Sequence, residues 1–209
     1  MLRSASVILW LLLLLSFPAL AEEDTSSPGP ILVLGDSLSA DYGFDRALGW
    51  VSLLETRLLA EDDHRGVVNA AISGDTTRSG RARLPRALES HQPSIVIIQL
   101  GGNDGLRGLP VDATRDNLAA MIETSQAAGA RVLLVGVRMP PNYGRSYTEA
   151  FAAMYADLAA DTGVALVPRV LEGVAEFEDL MQSDGIHPTA EAQAVILDNI
   201  WSGLDQLLN

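Results

Sequence analysis

The chain has 209 residues, 27 acidic side chains against 14 basic ones, and a net charge of −13; every basic residue is an arginine, and there is no cysteine. Without lysine it holds neither a P-loop nor a Schiff base; without cysteine it must be stable with no disulfide; and its acidic balance disfavours charge-driven binding to nucleic acid or anionic lipid. At 48% hydrophobic and 5% aromatic residues, the composition suits one globular α/β domain.

Residues 1–21 read as a signal peptide. Arg3 is the only charge before the apolar stretch 7–20, and Ala19-Leu20-Ala21 offers the small side chains of a cleavage site. The alternative is an uncleaved anchor, but the stretch is short for a spanning helix and polar residues follow at once. Residues 22–30 are polar, end in Pro28-Gly29-Pro30 and read as a tether. The remaining domain, 31–209, is therefore expected in the periplasm or outside the cell, with no membrane span once the signal is removed.

Five short apolar runs follow, at 31–34, 67–72, 95–100, 132–137 and 164–167. Each is continuous rather than alternating, as in parallel strands buried on both faces. Between them lie helical patterns. Leu118, Met121, Ile122 and Ser125 form a stripe after an expected cap at Asp112. Ser146-Tyr147-Thr148-Glu149 has the form of a capping box ahead of Phe151, Met154, Tyr155 and Leu158. Ala192, Val195, Ile196, Asn199, Ile200 and Leu204 mark a last helix. Such alternation predicts a parallel sheet with helices on both faces.

Four blocks sit at or past the strand ends: Gly35-Asp36-Ser37-Leu38-Ser39, Ser73-Gly74-Asp75-Thr76-Thr77, Gly101-Gly102-Asn103-Asp104 and Asp184-Gly185-Ile186-His187-Pro188. Ligands of open α/β sheets bind at the carboxyl ends of strands, which makes Ser37 a nucleophile candidate. A serine hydroxyl needs a base, and the base needs a group to orient it. His187 and Asp184 are the candidates among three histidines. His64 lies in the polar run 61–65 and His91 at a helix end before Gln92-Pro93. Taken singly, each block also reads as an ordinary turn, loop or helix cap. The elbow Gly-x-Ser-x-Gly and the dinucleotide pattern Gly-x-Gly-x-x-Gly are both absent from the sequence. No His-Glu-x-x-His occurs, so no zinc site is legible.

In this order the four blocks resemble the SGNH (GDSL) hydrolase superfamily. Residues 35–40, 69–76, 100–108 and 141–145 resemble its bacterial thioesterase I / lysophospholipase L1 / arylesterase group in particular. The resemblance implies a flavodoxin-like three-layer α/β/α sandwich on a five-stranded parallel sheet. It also implies a Ser37–His187–Asp184 triad, with the Ser37 N–H, the Gly74 N–H and the Asn103 amide as oxyanion donors. The substrate would be a small acyl ester, thioester or lysophospholipid, handled by a monomer with no metal and no cofactor. The loop 139–144 is expected to wall the acyl pocket through Met139, Pro141 and Tyr143. One residue departs from the group, Asp41, where a small residue is usual; aspartate tolerates the left-handed backbone such a turn requires. Two other readings remain open: a carbohydrate O-deacetylase on the same fold, and a non-catalytic protein binding an acyl chain or flavin.

Overall fold

The structure, a computed structural model, describes residues 28–208. The expected signal peptide and most of the tether lie outside the described residues.

Five strands form one parallel sheet: β1 (Ile31–Gly35), β2 (Val67–Asn69), β3 (Ile95–Gln99), β4 (Arg131–Val135) and β5 (Ala165–Val167), in the order β2-β1-β3-β4-β5. The helices are α1 (Trp50–Ala60), α2 (Thr77–His91), α3 (Gly102–Leu106), α4 (Val111–Ala127), α5 (Arg145–Thr162) and α6 (Gln193–Leu204). Helices α1 and α6 pack together over β2 and β5, while α2, α4 and α5 form the opposite layer. This is the doubly wound order whose direction reverses between β1 and β3.

Residues buried on both faces leave β1 and β3 with no solvent-facing side, and every residue in both is buried. Their register pairs Ile31 with Ile95 and Gly35 with Gln99. Both strands therefore end at the same level, and the loops that leave them open side by side. Trp50, Phe151 and Tyr155 fill the helix–sheet interfaces at 0%, 0% and 1% exposure. Burying a large apolar side chain in this way contributes about 1.5–3 kcal/mol.

The five strands lie where the apolar runs place them, but β2 is shorter than its run. The Asn69 side chain accepts from the Ala71 N–H at 3.0 Å and donates to the Ser39 carbonyl at 2.8 Å, so the chain leaves the strand there. Two caps also differ from expectation. The residue capping α4 is Pro110, and Asp112 stands inside the first turn, where a negative charge suits the helix N-terminus. The capping-box pattern at Ser146 forms no cap either. Gly144, with φ +89, turns the chain into α5 from a 3-10 turn, Pro141–Tyr143, and Glu149 pairs instead with Arg145 at 2.7 Å. A capping box does occur at Thr76–Ser79, at the start of α2.

Candidate active site

The turn that carries Ser37 begins where β1 ends. Asp36 accepts from the Leu38 N–H on Oδ1 at 3.1 Å, and its carbonyl accepts from the Ser39 and Ala40 N–H groups at 3.1 and 3.0 Å. These bonds curl the chain at once, so Ser37 stands clear of the sheet and stays partly exposed. Below it a buried network joins β1 to β3. The Ser39 hydroxyl donates to Gln99 Oε1 at 2.6 Å, and Gln99 Nε2 donates to Asp36 Oδ1 at 3.1 Å.

His187 is carried by a small hairpin. The Gln182 N–H donates to the His187 carbonyl at 2.7 Å and the Thr189 N–H to the Leu180 carbonyl at 2.8 Å, around a bridge between Met181 and Pro188. At its tip Asp184 Oδ1 accepts from the Ile186 and His187 N–H groups at 2.9 and 3.0 Å. Asp184 Oδ2 lies 2.7 Å from His187 Nδ1, and His187 Nε2 lies 2.9 Å from Ser37 Oγ. With Nδ1–H donating to the carboxylate, Nε2 is left to accept from the serine hydroxyl.

Hydrogen bonds from the His187 N–H, the His187 ring and the Ile186 N–H hold the Asp184 carboxyl down at about 2. A depressed carboxylate contributes its stabilisation above the unfolded value near 4 and loses it progressively as pH falls from there through about 2. Asp184 therefore stays ionised through mild acid, and a loss of activity there reports another group.

Asn103 stands in the first turn of α3, just past β3. Its Nδ2 donates to the Asp75 carbonyl at 2.9 Å and lies 3.5 Å from Asp36 Oδ2. The first bond fixes the plane of the amide; the second is at the limit of a hydrogen bond, so one N–H remains for an incoming oxygen. Gly74 adopts φ +83, and a Cβ there would meet nothing within 4 Å. Backbone conformation rather than space demands the glycine. The Gly74 carbonyl accepts from Arg107 at 3.1 Å, while Arg83 pairs with Asp75 at 2.7 Å and reaches the Ala70 and Gly35 carbonyls. Buried Asp104 accepts from the Thr77 N–H at 2.8 Å and the Thr77 hydroxyl at 2.6 Å, which locks α3 to the start of α2.

Thus Ser37, His187, Asp184 and Asn103 converge beyond the carboxyl ends of β1 and β3, with Gly74 on the adjoining loop. The segment 139–143 is placed differently along its length, and Met139, expected to wall an acyl pocket, lies in the core instead. Met139 is only 4% exposed, and a Cβ on Gly105 would overlap its sulfur. Pro141 is exposed, and half-buried Tyr143 donates from its hydroxyl to the Leu106 carbonyl at 2.8 Å. His64 is a surface residue 3.4 Å from Asp62, and His91 closes α2. Asp41 takes φ +56, the left-handed turn expected of it. Among the described residues no group of three His, Cys, Asp or Glu side chains is arranged to hold a metal.

Sequence reasoning passed over Asp36, Gln99, Arg83 and Gln182 as functional residues, because nothing in a single sequence marks which polar residues will be buried against each other. Asp36 is the most consequential of them. Burial pushes its carboxyl up to about 6 despite the opposing hydrogen bonds from the Leu38 N–H and Gln99. The folded chain therefore keeps a proton that the unfolded chain has already released. Stability from this group falls as pH rises from about 4 through about 6, by on the order of 3 kcal/mol in all. Asp36→Asn does not titrate, so its urea midpoint should gain on wild type between about pH 4 and about pH 7.5. A difference between the two proteins that stays constant with pH would mean that Asp36 is ionised throughout.

The sequence profile of the GDSL-like Lipase/Acylhydrolase family matches residues 33–195. The chain is 51% identical over 178 residues to Esterase TesA of Pseudomonas aeruginosa, covering 85% of this chain and 89% of that protein. It is 44% identical over 198 residues to thioesterase 1/protease 1/lysophospholipase L1 of Escherichia coli, covering 95% and 91%. The fold superposes on the crystal structure of the psychrotrophic esterase EstA from Pseudoalteromonas, inhibited by monoethylphosphonate. That match has a TM-score of 0.82 and 40% identity, and covers 87% of this chain and 99% of the other.

Proposed function

This chain belongs to the GDSL-like lipase/acylhydrolase family, a family of ester hydrolases, and from that premise we propose that it is an exported serine esterase acting through Ser37, His187 and Asp184. Its substrates are acyl esters, with acyl thioesters and lysophospholipids in the same class. The observation that carries the reading is the unbroken chain from Ser37 Oγ to His187 Nε2 at 2.9 Å and from His187 Nδ1 to Asp184 at 2.7 Å.

The steps follow from that chain. Ser37 Oγ attacks the acyl carbonyl carbon while its proton passes to His187 Nε2. Negative charge gathers on the carbonyl oxygen, where the Ser37 N–H, the Gly74 N–H and the Asn103 amide donate to it. The ionised Asp184 favours the imidazolium. That imidazolium then protonates the leaving alcohol or thiol, leaving an acyl-serine. Water gives a proton to His187 as it attacks the acyl carbon; the acyl–Oγ bond then breaks, the imidazolium returns that proton to Ser37 Oγ, and the acid leaves. Export makes esters outside the cytoplasm the natural pool rather than acyl-CoA. Among the described residues no helix is long and apolar enough to cross a membrane.

A radiolabelled or mass-tagged organophosphate tests this reading. One equivalent should attach at Ser37 with loss of hydrolysis, whereas a protein that only binds acyl chains or flavin would take none.

We assign the acyl side of the site to Pro141 and Tyr143, while Met139 is buried in the core against Gly105. Replacing residues 141–143 by Gly-Ser-Gly, with buried Met139 left in place, should lower kcat/KM on long-chain esters by about tenfold or more. The estimate rests on about 0.8 kcal/mol per methylene that loses its cover. Acetyl esters should be spared, and equal losses on acetyl and dodecanoyl esters would show that the loop does not read chain length.

A further inference from the structure

Tyr42 lies on the loop that leaves the nucleophile turn. Its ring packs on the imidazole of His187, with centroids 4.2 Å apart and planes tilted by 33°. The residue is 47% exposed, so filling the core does not account for its position. The loop is pinned from the histidine side by one side chain: Gln182 Nε2 donates to the Tyr42 carbonyl at 2.8 Å and to the Pro188 carbonyl at 2.9 Å. The Gln182 N–H donates to the His187 carbonyl at 2.7 Å. Gln182 thus ties together the main chain of the residue that covers the imidazole and of the hairpin that carries it.

We propose that Tyr42 is a positioning residue for His187, with Gln182 as the clamp that holds it there. The proposal rests on the reading that Ser37, His187 and Asp184 carry out the hydrolysis. An imidazole torsion is soft, and this ring is tethered at Nδ1 and Nε2 only along its own edge. The Tyr42 ring closes one face and keeps Nε2 directed at Ser37 while the proton moves to it and then away. The face of an aromatic ring also attracts a cation. The contact therefore strengthens when the imidazolium forms, and such an interaction acts on kcat rather than on KM.

Steady-state kinetics on two aryl acetates, one with a good and one with a poor leaving group, test this. Tyr42→Leu should lower kcat on both by about tenfold or more, as expected for a misplaced catalytic group, with KM changed by no more than about twofold. Tyr42→Phe, which keeps the ring, should restore the rate. Gln182→Ala should lower kcat by less, and adding it to Tyr42→Leu should cost little further, because the clamp then holds a loop that no longer covers the imidazole. In NMR spectra, the ring-current shift of the His187 ring protons should persist in Tyr42→Phe and vanish in Tyr42→Leu. Wild-type kcat in Tyr42→Leu would overturn the proposal, and so would a loss confined to KM or to one leaving group, since the ring would then be reading substrate. Organophosphate labelling of the same preparations keeps the two readings apart. If Ser37 of the wild type is not labelled, the triad reading fails; if it is labelled and Tyr42→Leu turns over normally, only the positioning role fails.

Discussion

Ser37→Ala should abolish ester hydrolysis and leave the fold unchanged. Among the described residues the hydroxyl bonds only to His187 Nε2, at 2.9 Å, and the residue is partly exposed on a turn built by Asp36 main-chain and side-chain bonds. Removing one oxygen there opens no core cavity and breaks none of the bonds that shape the turn. His187→Ala should be nearly as damaging, because an unassisted hydroxyl is a poor nucleophile and the leaving group then departs without a proton. For either variant a loss on the order of 10³-fold or more in kcat is expected. The two losses should not add, since the serine and its base act as one unit. Circular dichroism and urea midpoints matching wild type would assign the loss to chemistry. Wild-type rates in either folded variant would end the triad reading.

Asn103→Ala should lower kcat by about 10²-fold or more while leaving KM nearly unchanged. The amide is aimed before substrate arrives, because the Asp75 carbonyl holds one of its protons at 2.9 Å and Arg83 holds Asp75 at 2.7 Å. A donor fixed in this way contributes most where charge develops, at the oxygen of the tetrahedral state. An uncharged amide also gains little from a carboxylate product, which favours release. Separate determination of kcat and KM on one short acyl ester decides the matter. A change in KM alone would make Asn103 a substrate-binding residue. Because Arg83 lies behind the same loop, Arg83→Ala combined with Asn103→Ala should cost less than the sum of the two single changes.

Much of this protein is set by local sequence. Continuous apolar runs too short for helices between turn residues read as strands, fully buried in β1 and β3 and half-buried in β2, and their alternation with amphipathic stretches points to a parallel sheet. Serine, histidine and carboxylate stood out as candidates because few residue types supply a nucleophile, a base and its orienting group, only three histidines compete for the middle role, and the structure brings these three together. Helix ends were less legible. Ser146 has the composition of a cap, but the turn at Gly144 starts the helix a residue before it, and a cap forms only where the entering chain presents the side chain to the free N–H groups.

What the tertiary structure alone decided is which polar groups are shut away together. The Asp36–Gln99–Ser39 network, the Asp104–Thr77 bonds and the Gln182 clamp join residues 60, 63, 27 and 140 positions apart. No local periodicity encodes such distances. They follow from strand order and register, which bring Gly35 beside Gln99, and only then do desolvation and hydrogen bonding set the ionisation and aim of the groups between them.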